Sequence, residues 1–446
     1  MMSAPEFKDS KPSPSPGPSS AGEPRSKTLG KRSTGLPVPH KLPIGIQSFV
    51  EMRTGGYLYV DKTPLITTLV NRGKHYFLSR PRRFGKSLLV DTLDCAFSAR
   101  RELFEGLYLD TPEAAWNWNR KSPVLRIDFS GGTINTHSDL EKHLHRLLDD
   151  WETTYSLTPS ATPHDHTISP GHRLLSLVAA LAQKTGEKVV ILVDEYDKPI
   201  LDALCKRDSS DLESPPSEST TQNAQRIKKA LRDFYSAIKP LDQHLRFVLL
   251  TGVTKFAKAG IFSGLNNLHD ITLTRRYSTL CGYTQEDLET TFHLHLAEFN
   301  PEMVRTWYNG YSWTGETVYN PYDILLLFDE GSYRPWWFET GTPTFLVDLL
   351  KAKPRTLPNL EGLRVGDEIL GSFEIDSMRP ETLLFQAGYL TIKETVSNGE
   401  VGTWYTLGFP NREVRESFSR FLSRLYKEPE GHSCSHVDHK EAPEVG

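Results

Sequence analysis

One stretch, His75–Ser87 (HYFLSRPRRFGKS), constrains the chain more than any other. His75–Ser79 is a short apolar run, a basic turn with a glycine follows, and Ser87–Leu93 continues with apolar residues at helical spacing. The order is strand, loop, helix start. A bound phosphate needs unpaired backbone N–H groups, the positive end of a helix, a cation on a flexible stem and a hydroxyl for magnesium. Gly85, Lys86 and Ser87 provide these parts in the order of a P-loop. The strict pattern also asks for a glycine five residues before Gly85, where this chain has Arg80. On pattern alone a basic surface turn before an ordinary helix stays open.

The 446 residues allow two or three domains and a large core. A net charge of −4 gives no global basic field to attract nucleic acid. Four scattered cysteines without a CxxC pair suit free thiols in a reducing compartment. No apolar run reaches the roughly 18 residues that cross a bilayer, and the N-terminus has no apolar signal core. The expectation is a soluble intracellular protein, cytoplasmic or nuclear, with no membrane partner.

Residues 1–40, rich in Pro, Ser and Gly, hold too few large apolar residues to offset the entropy of ordering and are expected to be a disordered tail. Lys31 and Arg32 suit a solvated basic tail better than a nuclear address. Order begins near Leu42. Tyr57–Val60 is β-like, Asp61 suits an N-cap, and Pro64–Val70 reads as an amphipathic helix. Tyr59, Val60 and Asp61, just upstream of the loop, suit either contacts to a nucleotide base or plain core packing. A second strand is expected over Pro123–Phe129 and helices over Leu140–Trp151 and Arg173–Gln183. His164 and His166 lie between these helices in a polar loop that completes no metal set.

Lys188–Ile200 (KVVILVDEYDKPI) is the second informative stretch. Five apolar residues, Val189–Val193, make a strand buried on both faces, as in a helix-covered parallel sheet. Asp194 and Glu195 stand at its C-terminal end, where open α/β sheets bind ligands. Asp194 is suited to hold Mg²⁺ and Glu195 to orient the attacking water, a pairing that fits a phosphate loop about a hundred residues earlier. Arg207–Asn223 reads as a polar surface loop and Ala224–Ile238 as a helix. The next strand, Leu245–Leu250, ends at Thr251 and Thr254. Either threonine suits sensing a γ-phosphate or capping the following turn. A fifth strand, His269–Leu273, precedes Arg275 and Arg276. One of these suits reaching a triphosphate in its own subunit or a neighbour's, and surface ion pairing is the alternative.

These elements specify an α/β protein, a P-loop NTPase-like parallel five-stranded sheet with helices on both faces over residues 41–282. From Tyr283 the texture changes. Thr284 with Asp287 begins a helix in a capping box, and residues 283–426 read as a smaller α-rich lid domain with a hairpin. Residues 427–446, with His432, Cys434, His436 and His439, read as a disordered tail rather than a zinc site.

Ten motifs in order resemble the AAA-ATPase-like family over about residues 42–425. They are LPIG at 42–45, YVDKT at 59–63, RPRRFGKS at 80–87, LVDEYDKPI at 192–200, LTGVTKF at 250–256, IFSGLNNL at 261–268, WYNGY at 307–311, YNPYDIL at 319–325, LLFQAGYLTIK at 383–393 and GFPNREV at 408–414. The family's phosphate loop has the form RPRRFGKS, so the resemblance accommodates Arg80. It implies a P-loop ATPase core with an α-helical, winged-helix-like C-terminal part, in which Lys86 and Ser87 bind phosphate and magnesium, Asp194 and Glu195 are Walker B and Thr251–Lys255 is the sensor region. Together with the residues read above, the candidate site is Glu195, Thr251 and Arg275 for catalysis, Arg82, Arg83, Phe84, Gly85, Lys86, Ser87, Leu88 and Tyr59 for ATP, and Ser87 and Asp194 for Mg²⁺. Members often continue into a restriction-endonuclease-like nuclease domain. Fewer than forty residues follow Val414 here, so no nuclease activity is expected of this chain.

The functional expectation is an ATP-binding protein that hydrolyses ATP with Mg²⁺ as a switch or remodelling ATPase, alone or with a homo-oligomeric or protein partner. Two rival readings stay open on sequence. One is a module that binds ATP without turning it over; the other is a nucleic-acid-associated NTPase using Arg80, Arg82 and Arg83.

Overall fold

The computed structural model describes residues 41–157, 167–205, 218–255, 262, 265–341, 360–367, 371, 379–398 and 402–425. Several expectations fall outside them: the tails, His164, His166 and Phe256.

Five parallel strands form the main sheet: β1 (His75–Ser79), β2 (Val124–Asp128), β3 (Val189–Asp194), β4 (Leu245–Gly252) and β5 (His269–Asp270). Their order across the sheet is β2-β3-β4-β1-β5. Every residue of β1 and of β3 is buried. Because successive strand side chains alternate between faces, full burial means that both faces are covered. Helix Lys86–Phe97 packs on β3, and helix Pro170–Thr185 packs with Glu218–Ser236 and His137–Thr154. Leu140, Leu144 and Leu148 supply one apolar stripe, and Leu174, Leu177, Val178 and Leu181 supply another.

Strand order positions the site. From β1 the chain leaves for β2 at one edge, and from β4 it leaves for β5 at the other. The crevice above the carboxyl ends of these neighbours is therefore a topological switch point, where open α/β sheets bind ligands.

Three local expectations are corrected. Tyr57–Val60 forms no strand: a single parallel bridge joins Tyr57 to Lys41, while Val60 packs in a helical cluster with Leu288, Phe292 and Ile324. The fifth strand stops at Asp270 because side chains take over its ladder. Asp270 Oδ1 accepts the Thr272 N–H at 2.9 Å, and Thr272 Oγ1 accepts the Ser79 N–H at 3.0 Å. The helix expected from Ala224 begins at Glu218, inside the presumed loop.

Beyond residue 282, Thr284 and Asp287 form the capping box that their spacing predicts. Helix Pro321–Glu330 begins with Asn320 as N-cap, its Oδ1 accepting the Tyr322 N–H at 2.8 Å, and with Pro321 in the first turn. An antiparallel sheet follows, with Thr391–Asn398 and Leu363–Gly366 on either side of Gly402–Gly408, flanked by helices Pro380–Ala387 and Arg412–Leu425. Its core is continuous with that of the large sheet through Tyr311, Trp313, Trp337, Tyr389 and Phe418.

Two motifs of this half meet backbone to backbone. Gly310, at φ +115°, lies so close to Pro410 that an added Cβ would fall on the Pro410 carbonyl oxygen. Gly310→Ala is expected to destabilise the protein by about 2–4 kcal/mol, combining left-handed strain with overpacking. The check is a lowered thermal midpoint.

Candidate functional site

Strand β1 delivers the chain to Arg80, and here the sequence is explained by what the side chain does. Arg80 is completely buried. Its guanidinium donates to the carbonyls of Ser79 and Thr272 at 2.9 Å and of Tyr277 at 3.1 Å, and lies 4.1 Å from the Trp313 ring centroid. Arg80 is thus a structural bolt beneath the loop, unavailable to nucleic acid or nucleotide.

The loop then turns through two left-handed residues, Arg83 at φ 68° and Gly85 at φ 88°. Glycine adopts this region freely, whereas Arg83 pays about 1–2 kcal/mol of strain. Its guanidinium sits 4.6 Å over the Tyr322 ring, which helps fix the turn. Helix Lys86–Phe97 begins directly after Gly85. Lys86 folds back over the loop, Nζ donating to the carbonyls of Arg80 at 3.0 Å and Pro81 at 2.9 Å. Burial lowers its pKa, opposed by the charges of Asp194 and Glu195.

Those acids approach from β3. Asp194 is buried, and its Oδ1 accepts the Thr251 hydroxyl at 2.6 Å and the Glu195 N–H at 3.1 Å. Glu195 has φ 53°, which turns it away from the strand direction toward the cavity. Burial raises its pKa, with Lys86 opposing. Asp197, which sequence reasoning passed over within the DEYD run, staples this turn to the end of β4. Its Oδ2 accepts the Thr254 N–H at 2.7 Å and hydroxyl at 2.6 Å and the Val253 N–H at 3.2 Å. Gly252 makes the approach feasible, since a Cβ there would lie 2.5 Å from Asp197 Oδ1.

These elements enclose a cavity of about 390 Å³. Arg82, Arg83, Phe84, Gly85, Lys86, Ser87 and Leu88 line it along the loop, with Glu195 beside them and Tyr59 and Val60 along the apolar side. The Phe84 ring is buried between Tyr311 and Trp313, so this residue offers the cavity its backbone.

Other expected site residues lie elsewhere. Asp61 is spent on structure, accepting the N–H groups of Thr63 and Tyr108, each at 2.8 Å. Thr251 and Asp194 stand behind the wall, bonded to each other, and Thr254 is taken by Asp197. Arg275 and Arg276 are exposed on the turn 275–277 and do not line the cavity of their own chain. Residues 280–325 supply walls that the sequence did not connect to the site, among them Cys281, Tyr283, Tyr322 and Leu325. No pattern in the sequence marks them as neighbours of the loop.

A glycine–lysine–serine loop after the first strand of a parallel sheet, facing acids after the third, defines a P-loop NTPase-like protein. A family model described as Predicted AAA-ATPase matches residues 43–262. An uncharacterized protein in the vnfD 5′ region of Azotobacter chroococcum mcd 1 is 46% identical over 387 residues, covering 86% of this chain and 70% of that protein. No solved structure matches the chain. The chain belongs to the AAA-ATPase-like family.

A carboxyl with a raised folded pKa destabilises the fold once pH exceeds its unfolded value, because the unfolded chain ionises more easily. Glu195→Gln removes that penalty. The ligand-free variant is therefore expected to melt above the native protein at pH 8, with the gap narrowing as pH falls toward 4.5, the ordinary value for glutamate. Thermal scans across this range provide the check.

Proposed function

We propose that this protein binds ATP with Mg²⁺ and hydrolyses it to ADP and phosphate, serving as a switch or remodelling ATPase. The observation that carries the reading is that Lys86, Ser87 and Glu195 line one cavity, with Asp194 next in chain to Glu195 and both acids acting electrostatically on Lys86.

An ammonium has three donors. Two of those on Lys86 hold loop carbonyls, which leaves the third for a β- or γ-phosphate oxygen. Loop N–H groups and the start of the Lys86–Phe97 helix add positive potential. The donor set also fits magnesium. Among the described residues no cluster of three or more His, Cys, Asp or Glu side chains forms a metal site of its own. Mg²⁺ at nucleotide sites takes one or two protein oxygens and completes its shell with phosphate and water. Ser87 Oγ, on the cavity wall, would hold it directly, and Asp194, behind the wall with Oδ1 already taken by Thr251, would hold it through water. The ion supplies charge neutralisation on the phosphates. Glu195 accepts a hydrogen bond from the attacking water and takes its proton, and its raised pKa suits a base. Tyr59, Val60, Tyr283 and Leu325 provide an apolar wall for the adenine. The exposure of Arg275 supports a role toward a neighbouring copy in a homo-oligomer rather than toward its own cavity.

Lys86→Ala is expected to abolish ATP binding in a calorimetric titration. Glu195→Gln is expected to preserve binding while slowing phosphate release about 10²-fold or more. Unchanged turnover in the latter removes the role of Glu195, and a native protein that binds no ATP overturns the reading.

A further inference from the structure

Two carbonyls of the phosphate loop are held by residues far along the chain. Arg82 O accepts the indole N–H of Trp337 at 3.2 Å, and Phe84 O accepts the Gly282 N–H at 3.1 Å. A peptide group between non-proline residues is planar and trans, so its N–H points opposite to its C=O. Fixing the Arg82 carbonyl outward therefore turns the Arg83 N–H to the other side of the loop. Fixing the Phe84 carbonyl on Gly282, itself part of the cavity wall, turns the Gly85 N–H away from that wall. All four residues line the cavity. The left-handed turns at Arg83 and Gly85 belong to the kind of backbone whose successive N–H groups make an anion-binding concavity.

Resting on the phosphate-binding reading above, we propose that Trp337 and Gly282 are positioning residues for the triphosphate: by tethering the carbonyls of Arg82 and Phe84 they aim the N–H groups of Arg83 and Gly85 at its oxygens. Without the tethers, either peptide is free to rotate and present a carbonyl oxygen, which repels phosphate.

Both tethers are themselves rigid. Trp337 is fully buried, its ring 5.2 Å from that of Tyr389 and 6.3 Å from that of Tyr311. Its backbone N–H is held by Asp323 Oδ1 at 2.8 Å and Glu413 Oε1 at 3.0 Å, and the same Glu413 oxygen takes the Phe338 N–H at 3.2 Å. Both acids are fully buried, and each has one oxygen with no other partner, Asp323 Oδ2 and Glu413 Oε2. Gly282 has φ +91°, and a Cβ would meet Val318 Cγ2 at 2.7 Å. Close by, Gly388 presses on Pro81, where a Cβ would lie 2.8 Å from its ring. The loop is thus held along its length by the part of the chain that begins at residue 282.

The test compares ATP with adenosine, which shares the base and sugar but lacks the phosphates. Trp337→Phe keeps a buried ring and removes the N–H donor. In calorimetric titration it is expected to bind ATP and ADP about three- to tenfold more weakly, the worth of one hydrogen bond, and adenosine as the native protein does. Undiminished ATP affinity, or an equal loss for adenosine, overturns the positioning role. Should this variant fail to fold, amide hydrogen exchange of the native protein decides. Protection of the Arg83 and Gly85 N–H groups by ATP and not by adenosine supports the proposal, and no protection overturns it. A native protein that binds no ATP removes instead the reading on which the proposal rests, so the two failures are distinguishable.

Discussion

The guanidinium of Arg80 lies in the interior without a carboxylate bonded to it, its charge balanced by three backbone carbonyls and the face of Trp313. Burial pulls its pKa down to about 10, which leaves it charged at neutral pH. Each bond ties the end of β1 to something different: to its own last peptide, to Thr272 two residues past β5, and to the turn at 275–277. A buried cation without such partners costs several kcal/mol, so these carbonyls cannot move independently of the loop. The position that a strict phosphate loop gives to glycine is here the anchor of the loop's first residue. Everything downstream, from the left-handed Arg83 to the start of the Lys86–Phe97 helix, is referenced to it.

On the inner side of the loop the electrostatics are left incomplete. The buried ammonium of Lys86 has its pKa lowered and the half-buried carboxyl of Glu195 has its pKa raised, both chiefly by burial. Each charge partly offsets the other's shift across the cavity, yet burial outweighs that attraction for both groups. The turn carrying Glu195 is held in an uncommon conformation by neighbours on both sides, with Asp194 taking its N–H and Asp197 fastening the turn to β4. On the outer side the support is aromatic. Tyr311, Trp313, Tyr322 and Trp337 each contact a residue between Arg80 and Phe84. One face of the loop is polar and under strain; the other is packed and stiff.

Much of this was legible in the sequence because it is local. Period-two and continuous apolar runs mark β1 to β4, and a glycine–lysine–serine turn followed by helical spacing marks the loop. Paired acids after Val193 mark the facing strand. Thr284 and Asp287 disclosed a helix start at three residues' spacing. The misreadings arise where side chains replace backbone partners. Thr272 and Asp270 end the fifth strand early, and Asp61, which sequence left between a base contact and packing, is taken by two N–H groups. Arg80 read as a departure from a pattern because nothing in its neighbourhood names Thr272 or Tyr277, some two hundred residues on. Trp337 carries no signal at all, since its value lies in one N–H meeting one carbonyl across 255 positions.

The matched family region ends at residue 262, yet the phosphate loop is supported by Gly282, Tyr311, Tyr322, Trp337 and Gly388. The smallest autonomous unit with an intact loop is accordingly not the sheet with its helices but a piece that reaches at least as far as Gly388. A fragment cut after β5 would keep every residue of the glycine–lysine–serine motif and lose the scaffold that gives those residues their shape.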